Sequence, residues 1–376
     1  MKSRRLGLSG ALLLAAAGAA GVVACQVIAG IDDRTVWTAD GGDAGGGDAA
    51  DSCRSANVPP APDLSTSTPG DPYDYVAVLS QLHLGVGADA GGPYGFNLDR
   101  TCTCPENDSC VRGISSDGGK LPRACDEPGG IDNTGRPLFA LFAGSNLISE
   151  DLLNNAIKSG IVGVFIRMQH YNGQKDDAQV QVSVYSSLGW SGAADAGPKF
   201  DGNDSWIVDN ASVAGGNVDA PRFTTTSGYV RDNTLVATLK FPIIIGSKVL
   251  DPIVIELQSG LIVAKLELAG TALLRMTGRL AGRWEASRML TSLQAVADPL
   301  QPTQRLCGTN PTYQAIKPRI CEFVDITADP TDDGTGVCNA LSMGLGFDAV
   351  PAKFGPLRDA GPVATPCGAN YTDSCQ

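Results

Sequence analysis

Histidine is the scarcest of the residues that commonly carry catalysis. The 376-residue chain has only two, His83 and His170. Each lies in a strand-like pattern beside apolar or aromatic neighbours, which is typical of a structural side chain. The sequence also has no Gly-x-Ser-x-Gly motif, so a serine hydrolase of the common α/β kind has no candidate nucleophile. No catalytic motif stands out.

Positive charge is scarce as well. The chain has 28 Lys and Arg residues against 40 Asp and Glu residues. This excess of negative charge repels phosphate backbones, so nucleic acid is not expected as a partner. Most aspartates stand in turns rich in Gly, Ala or Asn, and the acidity is therefore assigned mainly to loops.

The amino terminus has the three parts of an export signal. Lys2, Arg4 and Arg5 form a basic region, Leu6 to Ala24 is an uncharged apolar run, and small residues precede Cys25. The run approaches the roughly 20 residues that a spanning helix needs, so an uncleaved anchor is the alternative. The glycines in the run and the small residues before the cysteine favour cleavage.

The stretch Val22-Val23-Ala24-Cys25 resembles the lipobox of bacterial lipoproteins, with valine where leucine is commonest. The resemblance implies that residues 1–24 are a signal peptide and that Cys25 is lipidated: its thiol carries diacylglycerol, and its new amino group is acylated, for example by palmitate. A lipid bilayer is then a partner through Cys25. Gln26 follows the cysteine, which implies an outer-membrane location, on the surface or the periplasmic face. Loss of residues 1–24 leaves 25 basic and 40 acidic residues, a formal charge of −15.

Most of the mature chain is similar to uncharacterised lipoproteins of myxobacteria. The similarity lies in "CQVIAGIDDR", "NLDRTCTC", "YNGQKDDAQVQV", "GRLAGRW" and "DGTGVCNALSMGLGF". That family has no assigned activity, so the resemblance implies no functional residue.

Cysteine is absent from residues 126–306, whereas eleven cysteines occur elsewhere. If Cys25 carries lipid, an even number remains, and in an oxidising compartment this predicts up to five disulfides whose pairing stays open. A zinc site at the closely spaced cysteines near residue 104 is disfavoured, because no histidine lies nearby. The disulfide candidates are Cys53, Cys102, Cys104, Cys110, Cys125, Cys307, Cys321, Cys338, Cys367 and Cys375.

The composition divides the mature chain into a linker and a single domain. Residues 25–60 contain "TADGGDAGGGDAADS", which has little to bury and is predicted to be a disordered linker. Residues 61–376 are predicted to form one domain with cysteine-rich flanks at 61–135 and 301–376. The cysteine-free middle is expected to supply the core.

Alternating apolar runs predict a mainly β domain. "DYVAVLSQLHL" places Val76, Val78, Leu82 and Leu84 on one face of a strand, and similar runs include "AQVQVSVYSSL", "NTLVATLKFPIII", "DPIVIEL" and "GLIVAKLEL". Ser149 predicts the start of a helix with Leu152, Leu153, Ala156 and Ile157 as its apolar stripe, and a second short helix is predicted within residues 283–297. The expected fold is an antiparallel, jelly-roll-like β-sandwich with one or two short helices and disulfide-rich flanks.

Two sets of residues are weak candidates for ligand binding. Aromatic rings near the Asp- and Asn-rich turns can stack on sugars or, alternatively, close the ends of the core; they are Trp190, Trp206 and Tyr171. The possible calcium ligands Asp329, Thr331 and Asp333 have the spacing found in an EF-hand loop. Ala340 stands where that loop requires Glu, so the alternative is a simple turn. Further loop aspartates that can bind an ion are Asp176, Asp177, Asp201, Asp204 and Asp209.

The leading interpretation is a membrane-anchored, extracytoplasmic binding or structural module without catalytic activity, with a glycan or an envelope protein as its partner. The alternative is a hydrolase that acts on envelope or extracellular polymers. Glu256 and Glu267, predicted on neighbouring strands, are the only carboxylate pair proposed for it.

Overall fold

The structure is a computed structural model that describes most of the chain from residue 58 onwards. The described residues are 58–63, 72–86, 92–104, 107–114, 119–120, 124–145, 147–192, 197–245, 253–360, 365–368 and 370–375. Cys25, Cys53, the predicted signal peptide and nearly all of the predicted linker lie outside these residues.

The described part is mainly β, as predicted. The first strands are β1 (Tyr73–His83), β2 (Gly163–Tyr171), β3 (Asp177–Trp190), β4 (Ser205–Asp209), β5 (Val213–Ala214) and β6 (Asn217–Pro221). The remaining strands are β7 (Thr224–Arg231), β8 (Thr234–Ile245), β9 (Ile253–Ala269), β10 (Ala272–Glu285), β11 (Ala340–Pro351) and β12 (Lys353–Arg358). The helices are α1 (Gly135–Gly144), α2 (Glu150–Lys158), α3 (Ala286–Ser292) and α4 (Pro311–Glu322).

The predicted β-sandwich is wrong, because the large sheet closes into an eight-stranded antiparallel barrel. Its strand order is β3-β2-β1-β11-β10-β9-β8-β7, and β7 pairs with β3 to complete the ring. The pairing of β3 with β7 ends at Ser183; beyond it β3 still pairs with β2 as far as Ser187, and its last residues pair with β4, to which β12 adds as a parallel strand. Alternating apolar residues suit an open sandwich and a closed ring equally well, so closure depends on which distant strands pair.

The barrel interior is filled by apolar side chains. Strand β1 contributes Ala77, Leu79 and Leu82 to this core, and Leu84 follows just after the strand, whereas the sequence pattern placed Val76 and Val78 on the same face as Leu82. A bulge between Leu79 and Gln81 shifts the alternation by one residue and explains the difference. The other ring strands add further buried residues, so the interior is a packed core rather than a ligand cavity.

Strand β9 joins two runs that the sequence pattern treats as separate strands. Its ladders with β8 and β10 are irregular around Ser259 and Gly260, where Ser259 has a φ of 47°. A Cβ atom at Gly260 would lie 2.5 Å from the ring of Phe241, so only glycine allows this close approach. The strand continues through the irregularity instead of turning back.

The four helices of the described residues lie at one end of the barrel, here called the helical end. Helices α1 and α2 connect the carboxyl terminus of β1 to the amino terminus of β2, and α3 and α4 connect the carboxyl terminus of β10 to the amino terminus of β11. These four strand ends lie at the same end of the barrel. Ser149 caps α2 as predicted, and its side chain accepts a hydrogen bond from Leu152 N. The short helix expected within residues 283–297 is α3, followed by a 3-10 turn.

Four disulfides confirm the prediction that the cysteines are oxidised. They are Cys104–Cys125, Cys110–Cys338, Cys307–Cys367 and Cys321–Cys375, and Cys102 is disulfide-bonded as well. The two cysteine-rich flanks are part of the barrel itself, because they supply β1 and β11, which pair with each other in the ring. In the described residues, no helix has both the length and the apolar character needed to cross a membrane.

Candidate functional site

The three aromatic residues singled out in the sequence do not form an exposed platform. Trp206 and Tyr171 are fully buried, and Trp190 is half-buried where its strand pairs with that of Trp206. Tyr171 lies at the opposite end of the barrel from Trp190 and packs edge-on against Tyr75. Tyr171 thus lies in the barrel core, whereas Trp206 and Trp190 lie in a separate apolar cluster.

The loop aspartates stabilise turns. Asp177 accepts hydrogen bonds from Asn172 N and Gln179 N, and Asp204 accepts them from Lys199 N and Phe200 N. Asp201 and Asp209 each accept a hydrogen bond from the amide two residues further on, and Asp176 accepts one from Asp232 N in the turn between β7 and β8. Short bonds of this kind are the usual role of Asp in loops, and the five residues are divided between the two ends of β3.

The EF-hand-like segment is also a turn. Asp329 accepts hydrogen bonds from the amide and hydroxyl groups of Thr331, and Asp333 forms a two-pronged ion pair with the buried Arg283 at 2.6 Å. The carboxylate of Asp333 is thus occupied by a guanidinium instead of facing Asp329. Among the described residues, no group of three or more His, Cys, Asp or Glu side chains is arranged to hold a metal ion.

The carboxylate pair predicted for a hydrolase does not meet. Glu256 and Glu267 both lie on β9, eleven residues apart, which corresponds to roughly 35 Å along an extended strand. Hydrolysis of a glycosidic bond requires two carboxyl groups within about 5–10 Å. Glu256 and Glu267 therefore cannot act together as the two catalytic carboxylates of a hydrolase.

Glu256 instead belongs to a cleft at the helical end of the barrel. The cleft has a volume of about 490 Å³, within the range of roughly 300–1,000 Å³ typical of ligand sites. The start of β9, helix α3 with its following turn, and the carboxyl-terminal segment form its walls. Its lining residues are Val254, Glu256, Glu285, Ser287, Arg288, Thr291, Ser292, Gln294, Ala295 and Thr372.

Arg288 holds two carboxylates in place within the cleft. Its Nη1 atom donates to Glu256 at 2.6 Å, and its Nε atom donates to Glu285 at 3.0 Å. Lys240 pairs with the other oxygen of Glu256 at 2.6 Å, and Ser287 donates to Glu285. Two positive and two negative groups thus balance, and the side chains are oriented by one another.

The electrostatics of Glu256 favour its ionised form. Burial opposes ionisation, but the hydrogen bond from Lys240 and the charge of Arg288 outweigh it and lower the pKa of Glu256. A general acid in glycoside hydrolysis needs the opposite shift. The geometry suits hydrogen bonding to a ligand better than proton donation to one.

Gln294, one of the lining residues, has an amide oxygen that no group of the described residues satisfies. Only 8% of the residue is exposed, and its buried Oε1 atom has no hydrogen-bond partner among the described residues. A buried amide oxygen without a partner costs about 1–3 kcal/mol.

A second group of acidic side chains involves residues of both cysteine-rich flanks. Four aspartates are brought close to one another there: Asp99, Asp126, Asp132 and Asp325. Burial, together with the neighbouring carboxylates, raises the pKa of Asp132 to about 10, and burial raises that of Asp126 to about 6 and that of Asp325 to about 7. Asp99 and Asp132 are buried, Asp126 and Asp325 are half-buried, and none of the four lines the cleft.

Neither histidine belongs to a nucleophile–base pair. His83 is half-buried, with Nε2 3.2 Å from Asp348 and Nδ1 3.7 Å from Glu150. It links β1 to β11 and to the start of α2, a structural role of the kind that the sequence favours. His170 is exposed.

Apart from Glu256, the cleft residues could not be identified from the sequence, because they come from distant segments. Glu285 and Arg288 have the spacing of an ion pair on a helix, and this i, i+3 signal was available. Their approach to Glu256 follows only from the pairing of β9 with β10, in which Leu257 faces Trp284.

Comparisons of this chain with protein-family models, with curated proteins and with solved structures find no match.

Proposed function

We propose that the protein is an exported, lipid-anchored binding module that holds a neutral, hydroxyl-rich ligand, such as a short glycan of the cell envelope, in the Glu256–Arg288 cleft. The lipobox resemblance supports the anchor at Cys25 and an outer-membrane location, and the disulfides support an oxidising compartment. The observation that supports the cleft as the ligand site is its charge-balanced group of Glu256, Glu285, Arg288 and Lys240.

The charge balance of the cleft favours a neutral ligand. An anion would compete with Glu256 and Glu285 for Arg288, and a cation would compete with Arg288 and Lys240 for the carboxylates. Sugar hydroxyls can donate to the carboxylates, and they can accept from the guanidinium. Because the ion pairs already orient these groups, little side-chain entropy is lost on binding.

The alternative function, hydrolysis of an envelope polymer, would use Glu256 and Glu285, the two carboxylates that do share the cleft. Arg288 lies between them and neutralises both. The lowered pKa of Glu256 removes one candidate proton donor. Binding without turnover is therefore the better fit.

The test is titration of the oxidised protein with a panel of neutral and acidic oligosaccharides, followed by calorimetry. We expect a neutral oligosaccharide to bind. Arg288→Ala should weaken its binding by about tenfold or more, since a hydrogen bond to a charged group contributes about 1.5–3 kcal/mol. The matched control is Arg319→Ala, which removes a similarly exposed arginine with its own i, i+3 glutamate on α4, outside the cleft.

Two results would contradict the proposal. One is the absence of oligosaccharide binding, or equal binding by the wild type and Arg288→Ala. The other is the release of shorter fragments, detected by mass spectrometry, that stops in Glu285→Gln; this would establish the hydrolase instead.

A further inference from the structure

The carboxyl-terminal segment of residues 365–368 and 370–375, here called the tail, has no helix or strand, yet it is firmly held. Chain termini without secondary structure usually fray. Here Cys367 is bonded to Cys307, and Cys375 is bonded to Cys321 on α4. Two cross-links within so short a segment fix where its backbone runs.

Side-chain bonds hold the tail between its two disulfides. Asp373 accepts hydrogen bonds from Tyr313 at 2.6 Å and from Tyr371 at 3.1 Å, and it forms an ion pair with Lys317. Tyr371 in turn accepts a hydrogen bond from Gly308 N. These contacts join the tail to α4 and to the loop before it.

This fixation places Thr372 at the cleft. The residue lies between Tyr371 and Asp373, is exposed, and is the one tail residue among those that line the cleft. Its backbone has little freedom to move because both neighbours are bonded to α4 or its loop. The tail thus forms a rigid boundary on a cleft whose other walls belong to β9 and α3.

We propose that the tail is a disulfide-fixed wall that limits the length of the ligand that the cleft accepts. This inference rests on the proposed function, since it concerns the same site. A ligand that extends past Thr372 meets a cross-linked segment, whereas a shorter one fits between the walls. Release of the tail should therefore admit longer ligands, and a bulky residue at Thr372 should exclude them.

The experiment measures affinity against ligand length for a series of oligosaccharides of the type that binds the wild type. The triple variant Cys321→Ser/Cys375→Ser/Asp373→Ala releases the end of the tail and leaves no new free thiol. We expect it to bind the longest members at least tenfold more tightly, relative to the shortest, than the wild type does. Its control is Cys104→Ser/Cys125→Ser, which removes a disulfide from the other flank and should not change the length preference.

A second variant does not depend on removing a cross-link. Thr372→Trp retains both disulfides and should weaken the binding of the longest ligands at least tenfold while the shortest ones bind as before. The control is Thr226→Trp, at an exposed position on β7. An unchanged length preference in a folded Thr372→Trp protein would overturn the proposal that the tail limits ligand length, whatever the result for the triple variant. Absence of oligosaccharide binding by the wild type would instead overturn the proposed function itself.

Discussion

At the scale of single residues, the buried aspartates make the stability of the protein depend on pH in an unusual direction. Asp132 is buried beside the carboxylates of Asp99, Asp126 and Asp325, and both its burial and these neighbouring charges favour its protonated form. The pKa of Asp132 is raised to about 10 in the folded state, whereas the unfolded chain loses this proton near the ordinary value of about 4. The folded state therefore holds the proton more tightly, and its stability falls as the pH rises above about 4.

We expect the melting temperature of the wild type to decrease between pH 4 and pH 9. Asp132→Asn keeps a polar side chain without the ionisable group, so it should remove most of this decrease and raise the melting temperature at pH 8. Thermal denaturation followed by circular dichroism at several pH values measures both effects. The control Asp151→Asn, at an exposed position on α2, should keep the slope of the wild type. A melting temperature of Asp132→Asn that falls in parallel with the wild type would contradict the prediction.

At the scale of elements, helix α2 illustrates what local sequence predicts and what it does not. Its start at Ser149 and its buried Leu153, Ala156 and Ile157 follow from capping and helical periodicity, and they are confirmed. Leu152, predicted on the apolar stripe, is 40% exposed. Asn154 is buried instead, because its amide exchanges two hydrogen bonds of 2.8 Å with the backbone of Leu82 on β1. The local sequence of α2 or of β1 does not predict that the two elements pack side by side.

Asn154→Ala should therefore destabilise the protein by about 1–3 kcal/mol, since it leaves a buried N–H and a buried C=O of Leu82 unpaired. Asn155→Ala is the matched control, because the same substitution occurs at the exposed neighbouring position, and it should change stability by less than about 0.5 kcal/mol. Chemical denaturation of the two variants gives the comparison. Equal midpoints would show that the bonds to β1 contribute nothing measurable.

At the scale of the whole molecule, the sequence predicts the class of structure but not its closure. The period of two in β1, β3 and β8 is local and identifies strands. Closure depends on the pairing of β3 with β7, and the joining of the two flanks depends on the pairing of β1 with β11. The candidate cleft was missed for the same reason, because Glu256, Glu285 and Thr372 meet only after the ring has formed. Residue type and spacing carry no information on such distant contacts.

The disulfides differ in how much of this closed structure they constrain. Cys110–Cys338 links residues 228 positions apart, whereas Cys104–Cys125 spans 21 positions. If a cross-link acts mainly by restricting the unfolded chain, the longer loop contributes about 2 kcal/mol more. Cys110→Ser/Cys338→Ser should therefore lower the free energy of unfolding by about 2 kcal/mol more than Cys104→Ser/Cys125→Ser. Urea denaturation without reductant measures both, with the slope of the transition checked for each variant. A larger loss in the short-loop variant would show that local contacts around Cys104, rather than the length of the closed loop, decide how much each bond stabilises the protein.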